Sequence, residues 1–132
     1  MSHFTTIQTQ IRDIDALRDA CAELGLELLP NAEARGFGQQ TRHGEYVIRL
    51  KGPYDIAVNR ETMAEEGKGK GAYGLTTDWW DGHVEREVGP RYGRLLQLYG
   101  VHKTTREARR QRYRVTRKVE QDGSICLSLH RL

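Results

Sequence analysis

Alternating apolar and polar positions predict strands at both ends of the chain. Ile7, Thr9 and Ile11 alternate with polar residues, which favours an opening strand over residues 4–11. Near the C-terminus two alternating runs flank Asp122-Gly123, and Asp-Gly between such runs is typical of a β-hairpin because glycine tolerates the positive φ of the turn. The alternating apolar positions of this hairpin are Tyr113, Val115, Val119, Ile125, Leu127 and Leu129.

Helical spacing of apolar residues predicts three helical segments between these strands. Asp13 is a good N-cap for a helix that continues to about Leu24 and ends at Gly25. Pro90 must kink or restart a second helical stripe, and a more basic helix is predicted from Lys103 to Gln111. The second stripe consists of Val84, Val88, Tyr92, Leu95, Leu96 and Tyr99.

The middle of the chain has an extended, turn-rich pattern. Residues 46–50 and 54–58 are predicted strands on either side of Gly52-Pro53, and residues 73–77 form another. The glycine-rich and charged residues 65–71 are predicted to be a loop. Together these patterns predict a single α+β domain over residues 1–132. It has an antiparallel sheet, two or three helices packed on one face, and a C-terminal β-hairpin.

Composition fits a small soluble domain. The 132 residues are 37% hydrophobic and 30% charged, and no apolar run approaches the roughly 20 residues of a membrane helix. The first four residues lack the basic start and apolar block of a signal peptide, so we expect a cytoplasmic protein without a membrane partner. Cys21 and Cys126 are then expected to be reduced thiols.

The charges are unevenly distributed along the chain. Residues 91–118 carry ten basic residues and one acid, Glu107, a formal charge of +9, whereas the remainder carries eleven basic and seventeen acidic residues, −6. Such a division predicts a positive surface that attracts an acidic protein or a polyanion, although a solvated surface is the simpler alternative. The ten basic residues are Arg91, Arg94, Lys103, Arg106, Arg109, Arg110, Arg112, Arg114, Arg117 and Lys118.

Both tryptophans lie in the sequence Asp78-Trp79-Trp80-Asp81. Adjacent tryptophans of a strand cannot both face one side, so one interpretation places one ring in the core and the other partly exposed, where it would anchor a partner. The favoured interpretation is that both rings merely close the end of the core.

No catalytic, cofactor or metal site is predicted. Gly69 to Gly74 matches G-x-G-x-x-G, but a charged stretch precedes it and a predicted strand follows it, whereas a dinucleotide site needs a strand before and a helix after. The histidines have neither the spacing nor the cysteine partners of a metal site, and Cys21 lies on the apolar stripe of the first helix. We therefore expect a protein that is not an enzyme.

Three segments resemble one known family. They are residues 1–13 followed by a leucine-rich helix, the segment Tyr54-Asp55-Ile56, and residues 121–131. In this order they are similar to the family called hypothetical chloroplast reading frame thirty-five, which occurs in cyanobacteria, plastids, other bacteria and phages. The resemblance spans the chain and implies no established activity. It does imply a neighbourhood of AAA-type ATPases and small ferredoxin-like proteins, hence a subunit or adaptor of a larger assembly.

These observations predict a non-enzymatic adaptor that docks on a larger protein, an AAA-type ATPase being the candidate that the resemblance suggests. The binding residues are expected in residues 91–118, the basic segment, together with Trp79 or Trp80. The alternative is a protein that binds nucleic acid without sequence preference, through phosphate contacts alone. Tyr92, Tyr99 and Tyr113 are the only aromatic residues in the basic segment, so stacking on bases has little support.

Overall fold

A computed structural model describes residues 4–60 and 71–132. The predicted loop at 65–71 lies outside the described residues except for Gly71. Within them, the chain forms a five-stranded sheet, three α-helices and a separate two-stranded sheet. The predicted α+β class, with its helices and its C-terminal hairpin, is confirmed.

The five-stranded sheet has the order β1-β5-β4-β3-β2, and every neighbouring pair is antiparallel. Two of its strands, β1 and β2, are therefore edges. The strands are β1 (Phe4–Gln8), β2 (Glu27–Arg35), β3 (Thr41–Arg49), β4 (Ile56–Arg60) and β5 (Tyr73–Asp78).

The opening strand is shorter than its pattern predicts. Thr9 turns its hydroxyl inward, where it donates to the Tyr73 carbonyl at 2.7 Å and accepts from the Ile11 N–H at 3.1 Å. This bonding ends the regular ladder at Gln8 and leads the chain into the first helix. Ile11, predicted as a strand residue, is instead a buried residue of the connection.

Helix α1 (Ile14–Glu23) follows its sequence signals closely. The Asp13 carboxylate accepts the Ala16 N–H at 3.1 Å as an N-cap, and Gly25 leaves the helix at φ 75°. Leu17 and Cys21 are fully buried, as the helical stripe predicts.

The second helical region contains one long helix rather than two. A short helix, α2 (Glu85–Val88), ends at Gly89, and Pro90 begins a 3₁₀ turn before α3 (Gly93–Arg110). The predicted break at Pro90 is confirmed. The prediction of a separate helix from Lys103 to Gln111 is wrong, because α3 already covers these residues up to Arg110. No proline interrupts the chain between these segments, and Gly100 keeps helical geometry within α3, so a single helix continues through them.

The main core lies between the helices and one face of the sheet. Its central side chains are fully buried: Leu17, Ile48, Ile56, Leu75, Val88, Tyr92 and Leu95. α3 also holds the segment that leads into α1, because the Tyr99 hydroxyl accepts the N–H groups of Arg12 and Asp13 at 3.1 Å.

The hairpin formed by β2 and β3 bends back over the other face of the sheet. Ala34 of β2 packs on Val47 and Ala57, although Ala34 and Ala57 lie on strands that are not neighbours. The Asp55 N–H donates to the Arg35 carbonyl at 3.0 Å, which joins the end of β2 to the start of β4. Small side chains are required where two layers of backbone approach so closely.

Sequence reasoning missed β2 and misplaced the bounds of its neighbours. Pro30 and the polar residues of Glu27–Arg35 hide the strand, and Asn31 has a positive φ of 47° at the bend. The predicted strands 46–50 and 54–58 correspond to β3 and β4, which pair as an antiparallel hairpin. The strand predicted at 73–77 is β5.

The C-terminal hairpin forms a sheet of its own. β6 (Tyr113–Val119) and β7 (Ile125–Arg131) pair in the register Tyr113↔Arg131 to Val119↔Ile125. The turn is held against α3, since the Gln97 side-chain amide donates to the Gly123 carbonyl at 2.9 Å. No helix within residues 4–60 and 71–132 has the length and hydropathy needed to span a bilayer.

Candidate functional site

Acidic residues of α1 neutralise part of the basic segment. The Arg106 guanidinium lies 2.7 Å from Asp19, and the Lys103 ammonium lies 3.5 Å from Asp13. The hydrogen bond from Arg106 lowers the pKa of Asp19. These cations hold α3 to α1.

The Glu23 carboxylate at the end of α1 binds two further partners. Arg117 of β6 donates to it at 2.9 Å, and His102 lies 2.8 Å away on its other oxygen. The hydrogen bond from Arg117 lowers the pKa of Glu23. Arg117 therefore attaches the C-terminal hairpin to α1.

Glu107, the one acid of the basic segment, pairs within α3. Its carboxylate accepts from Lys103 and from Arg110, each at 3.0 Å. With the contacts to α1 and Glu23, four of the ten basic residues have an acidic partner: Lys103, Arg106, Arg110 and Arg117.

The other six basic residues are exposed and have no ion pair among the described residues. Arg91 and Arg94 lie around the start of α3, far along the chain from the others. Arg109 lies in the last turn of α3, where its charge is favourable to the helix dipole. Arg114 and Lys118 lie on β6 of the C-terminal hairpin, and Arg112 directly precedes that strand.

The hairpin surface is defined here as the solvent-facing side of β6 and β7: Arg114, Thr116, Lys118, Cys126, Ser128 and His130. The register places His130 opposite Arg114 and Cys126 opposite Lys118. All six side chains are exposed, and none is acidic. On the reverse side, Val115, Ile125 and Leu127 are half-buried against the body of the protein, whereas Val119 and Leu129 are 63% and 47% exposed. Arg112 extends the positive charge at one end.

The two tryptophans differ in exposure. Trp79 is half-buried and packs on Tyr92 with ring centroids 4.7 Å apart, whereas the Trp80 side chain is 46% exposed. Trp80 meets Phe37, itself 42% exposed, edge to face at 5.7 Å. Sequence reasoning missed Phe37, whose only signal was a lone aromatic residue between two glycines.

Asp78 holds this aromatic pair in place. Its fully buried carboxylate accepts the Phe37 N–H at 3.2 Å and the Trp80 N–H at 3.0 Å. Both rings are thus set by backbone hydrogen bonds to one side chain. They are positioned for contact with another molecule in a way that single exposed side chains are not.

Asp55 is a second buried carboxylate that the sequence did not reveal. It has no exposed surface and accepts the Arg35 guanidinium at 2.8 and 2.9 Å, the Arg35 N–H at 3.0 Å and the Leu50 N–H at 3.1 Å. Burial acts to raise its pKa, but the hydrogen bonds from Arg35 and Leu50 outweigh it and lower the pKa. With every lone pair directed at the β2–β3 hairpin, Asp55 is a structural residue.

The metal-ligating residues, the cysteines and the glycine motif do not form a chemical site in the part of the chain that the structure describes. Within the described residues no group of three or more His, Cys, Asp and Glu side chains is close enough to hold a metal ion. Cys21 is buried, which raises its thiol pKa to about 12, and Cys126 is exposed. Neither is in a disulfide. The residues that follow Gly71 enter β5 rather than a helix, so the described part of the glycine motif lacks the helix N-terminus that a dinucleotide needs.

Comparison with known proteins gives a family but no activity. A family model described as "Protein of unknown function (DUF1257)" matches residues 20–128. The chain is 29% identical over 136 residues to "Uncharacterized protein ycf35" of Pyropia yezoensis, covering 99% of this chain and 98% of that protein. The family resemblance seen in the sequence is thus confirmed. No solved structure matches the chain.

Proposed function

We propose that this chain, which belongs to the DUF1257 family of proteins of unknown function, is a non-enzymatic binding subunit. It docks on an acidic surface of a larger protein through the hairpin surface and Arg112. The observation that carries the proposal is that these cations are exposed, lack an acidic partner among the described residues, and share a face without a single acid.

The contrast with the contact between α1 and α3 supports this choice. There, Lys103 and Arg106 each meet a carboxylate within 3.5 Å, and Arg117 of β6 meets Glu23 at 2.9 Å, so these charges already serve the fold. Arg114 and Lys118 of the hairpin surface form no ion pair with a described carboxylate. Like charges on one face repel each other slightly, and a negative partner relieves that repulsion.

An acidic protein fits the hairpin surface better than a nucleic acid does. Arg114 and Lys118, with Arg112 beside them, would neutralise only about three phosphates, which gives a weak and strongly salt-dependent affinity. The face also has no aromatic side chain for stacking on bases, because Tyr113 points to the other side under the Arg131 guanidinium. Threonine and serine between the cations suit hydrogen bonding to a protein surface.

The test is affinity purification of the intact chain with a double charge reversal, Arg114→Glu and Lys118→Glu. The control reverses two exposed cations elsewhere, Arg42→Glu and Lys51→Glu, so the change in net charge is equal. We expect the native chain and the control to recover the same protein, and the hairpin variant to lose it. The AAA-type ATPase suggested by the family resemblance is the first protein to reconstitute with the purified chain.

Two results would overturn the proposal. One is recovery of the same partner by the hairpin variant at an unchanged level. The other is submicromolar binding of labelled DNA or RNA at physiological salt that the hairpin variant abolishes, because the surface would then serve a nucleic acid. Circular dichroism of both variants establishes that they are folded.

A further inference from the structure

The two edges of the five-stranded sheet differ in how they are protected. Exposed edge strands present unpaired N–H and C=O groups, and natural proteins protect them with proline, charges, bends or covering segments. β2 has all but the last: Pro30 lacks an N–H, Asn31 bends the strand, and Glu27 and Glu33 place charge along it.

Within residues 4–60 and 71–132, β1 has none of these protections. Its sequence is Phe-Thr-Thr-Ile-Gln, without a charge, a proline or a glycine, and no described strand pairs with its outer side. Thr9 donates its N–H to the Tyr73 carbonyl, and bonding alternates along an antiparallel ladder. The odd-numbered residues of β1 therefore bond to β5. Phe4, Thr6 and Gln8 direct their N–H and C=O groups to the free edge.

A groove runs along this edge. Three consecutive residues of β1 (Thr5, Thr6 and Ile7) line it, although alternate side chains of a strand point to opposite faces. A single cleft touches all three only if it follows the outer edge of the strand. Trp79, Pro90, Glu85 and Arg91 line it from the helical side.

Arg91 is held at this groove in an unusual conformation. It has φ 52° and the following Tyr92 has φ 65°, both in the left-handed region that non-glycine residues rarely adopt. Its side chain has no ion pair among the described residues, and Glu85 lies on the same groove with no partner among them either. As far as the described residues show, the groove thus offers one free cation and one free anion beside an unpaired strand edge.

We propose that the edge of β1 binds a second copy of this chain, β1 against β1, in a symmetric dimer. Two arguments favour a second copy over an unrelated peptide. First, a groove with one base and one acid matches itself, because each copy offers the other the opposite charge. Second, the outward-facing groups of β1 are symmetric about Thr6.

A two-fold axis at Thr6 satisfies the strand geometry. It pairs Thr6 with the Thr6 of the second copy and Phe4 with its Gln8, so that even-numbered residues meet even-numbered residues. Both five-stranded sheets then join into one continuous antiparallel sheet of ten strands. The hairpin surface shares no residue with this interface, so the proposal stands independently of the proposed function.

The first test is light scattering coupled to gel filtration over a range of protein concentrations. We expect the native chain to reach twice its monomer mass of 15.2 kDa, and Thr6→Pro to remain monomeric because proline removes the outward N–H. Thr6→Val is the matched control. Like proline it loses the hydroxyl bond to Thr76, which is 2.7 Å in the native chain, but it keeps the N–H and should dimerise.

The charges give a second test that does not alter the strand. Arg91→Glu alone and Glu85→Arg alone should each weaken dimerisation, and the double variant should restore it. Arg94→Glu, an exposed cation three residues away, should change nothing. Equal weakening by Arg91→Glu and Arg94→Glu, or no rescue in the double variant, would contradict the charge pairing.

Hydrogen exchange locates the interface residue by residue. The Thr6 and Gln8 amides should exchange fast in dilute protein and slow as concentration rises, whereas the Thr5 and Ile7 amides should be protected throughout. A native chain that is monomeric at every soluble concentration would overturn the proposal. So would a dimer whose Thr6 amide remains unprotected.

Discussion

The chain contains two long β-hairpins that use arginine in opposite ways. In the β2–β3 hairpin, Arg35 reaches back to the fully buried Asp55 and fixes the bend over the sheet. In the C-terminal hairpin, Arg114 and Lys118 are exposed, and of its cations Arg117 on the reverse side alone meets a carboxylate of the described residues. A cation with a buried partner belongs to the architecture, whereas an exposed one without a partner is available for another molecule.

The physical difference is burial of the anion. A carboxylate that has lost its water needs all its hydrogen bonds from the protein, so breaking one is costly. Glu23 is partly solvated, and water replaces a lost bond at little expense. The first hairpin should therefore resist change much more than the second.

The largest effect is expected at Asp55. Asp55→Asn removes the charge that Arg35 binds and leaves an amide whose NH₂ faces donors, so we expect a loss of about 3 kcal/mol in the free energy of unfolding. Denaturant titration measures it. Asp15→Asn is the control, because its exposed pair with Arg18 at 3.1 Å should contribute less than about 1 kcal/mol. Equal losses in the two variants would contradict the comparison.

Gly44 tests the bend of the first hairpin. A Cβ there would collide with the Tyr46 carbonyl oxygen and lie 3.0 Å from Val47 Cγ2. Gly44→Ala should therefore cost about 2 kcal/mol through overpacking. Gly100→Ala has no atom within 4 Å of its Cβ and lies within α3, so it should stabilise the protein by about 0.5 kcal/mol. Thermal unfolding of both variants gives the sign of each change.

Gly123 tests the second hairpin without crowding it. The residue has φ 88° and no atom within 4 Å of a built Cβ, so Gly123→Ala meets only the backbone penalty of about 1 kcal/mol. Native-state hydrogen exchange should show faster opening of the β6–β7 amides and no change at β3–β4. Equal acceleration in both hairpins would mean that they unfold as one unit.

The smallest effect is the pH dependence carried by Asp19 and Glu23. Hydrogen bonds from Arg106 and Arg117 lower their pKa values below the ordinary 3.8 and 4.5. The folded state thus releases protons more readily than the unfolded state, so this stabilisation is present above the ordinary values. It is lost as pH falls through the lowered ones.

Asp19→Asn with Glu23→Gln should accordingly be less stable than the native chain at neutral pH, by an amount within the small range of surface pairs. The difference should shrink as pH falls below about 4. Chemical denaturation at several pH values measures it. A difference that is constant with pH would show that the pairs do not carry the dependence.

Local signals predicted much of this fold. The Asp13 cap, the exit at Gly25, the break at Pro90 and the Asp-Gly turn all act within a few residues, so their outcome is readable in the chain itself. β2 escaped detection because its strand character comes from pairing with β3. Its own composition, with Pro30 and Asn31, argues against a strand.

The candidate binding surface was only partly predictable. Alternation along β6 places Arg114 and Lys118 on one side and Arg117 on the other, because a strand has a period of two. The sequence could not show which cations form ion pairs. Arg106 pairs with Asp19, and Arg117 with Glu23, across more than eighty residues of sequence.

The sequence by itself determined the class of the fold, the uneven charge and the faces of its strands, because these follow from short-range periodicity and composition. Only the tertiary structure decided that the β2–β3 hairpin is fastened to a buried Asp55, that β1 is an edge strand of the described sheet beside Arg91, and that four of the ten cations are neutralised. Ion pairing and burial depend on which distant segments meet, and that is settled by packing of the whole chain.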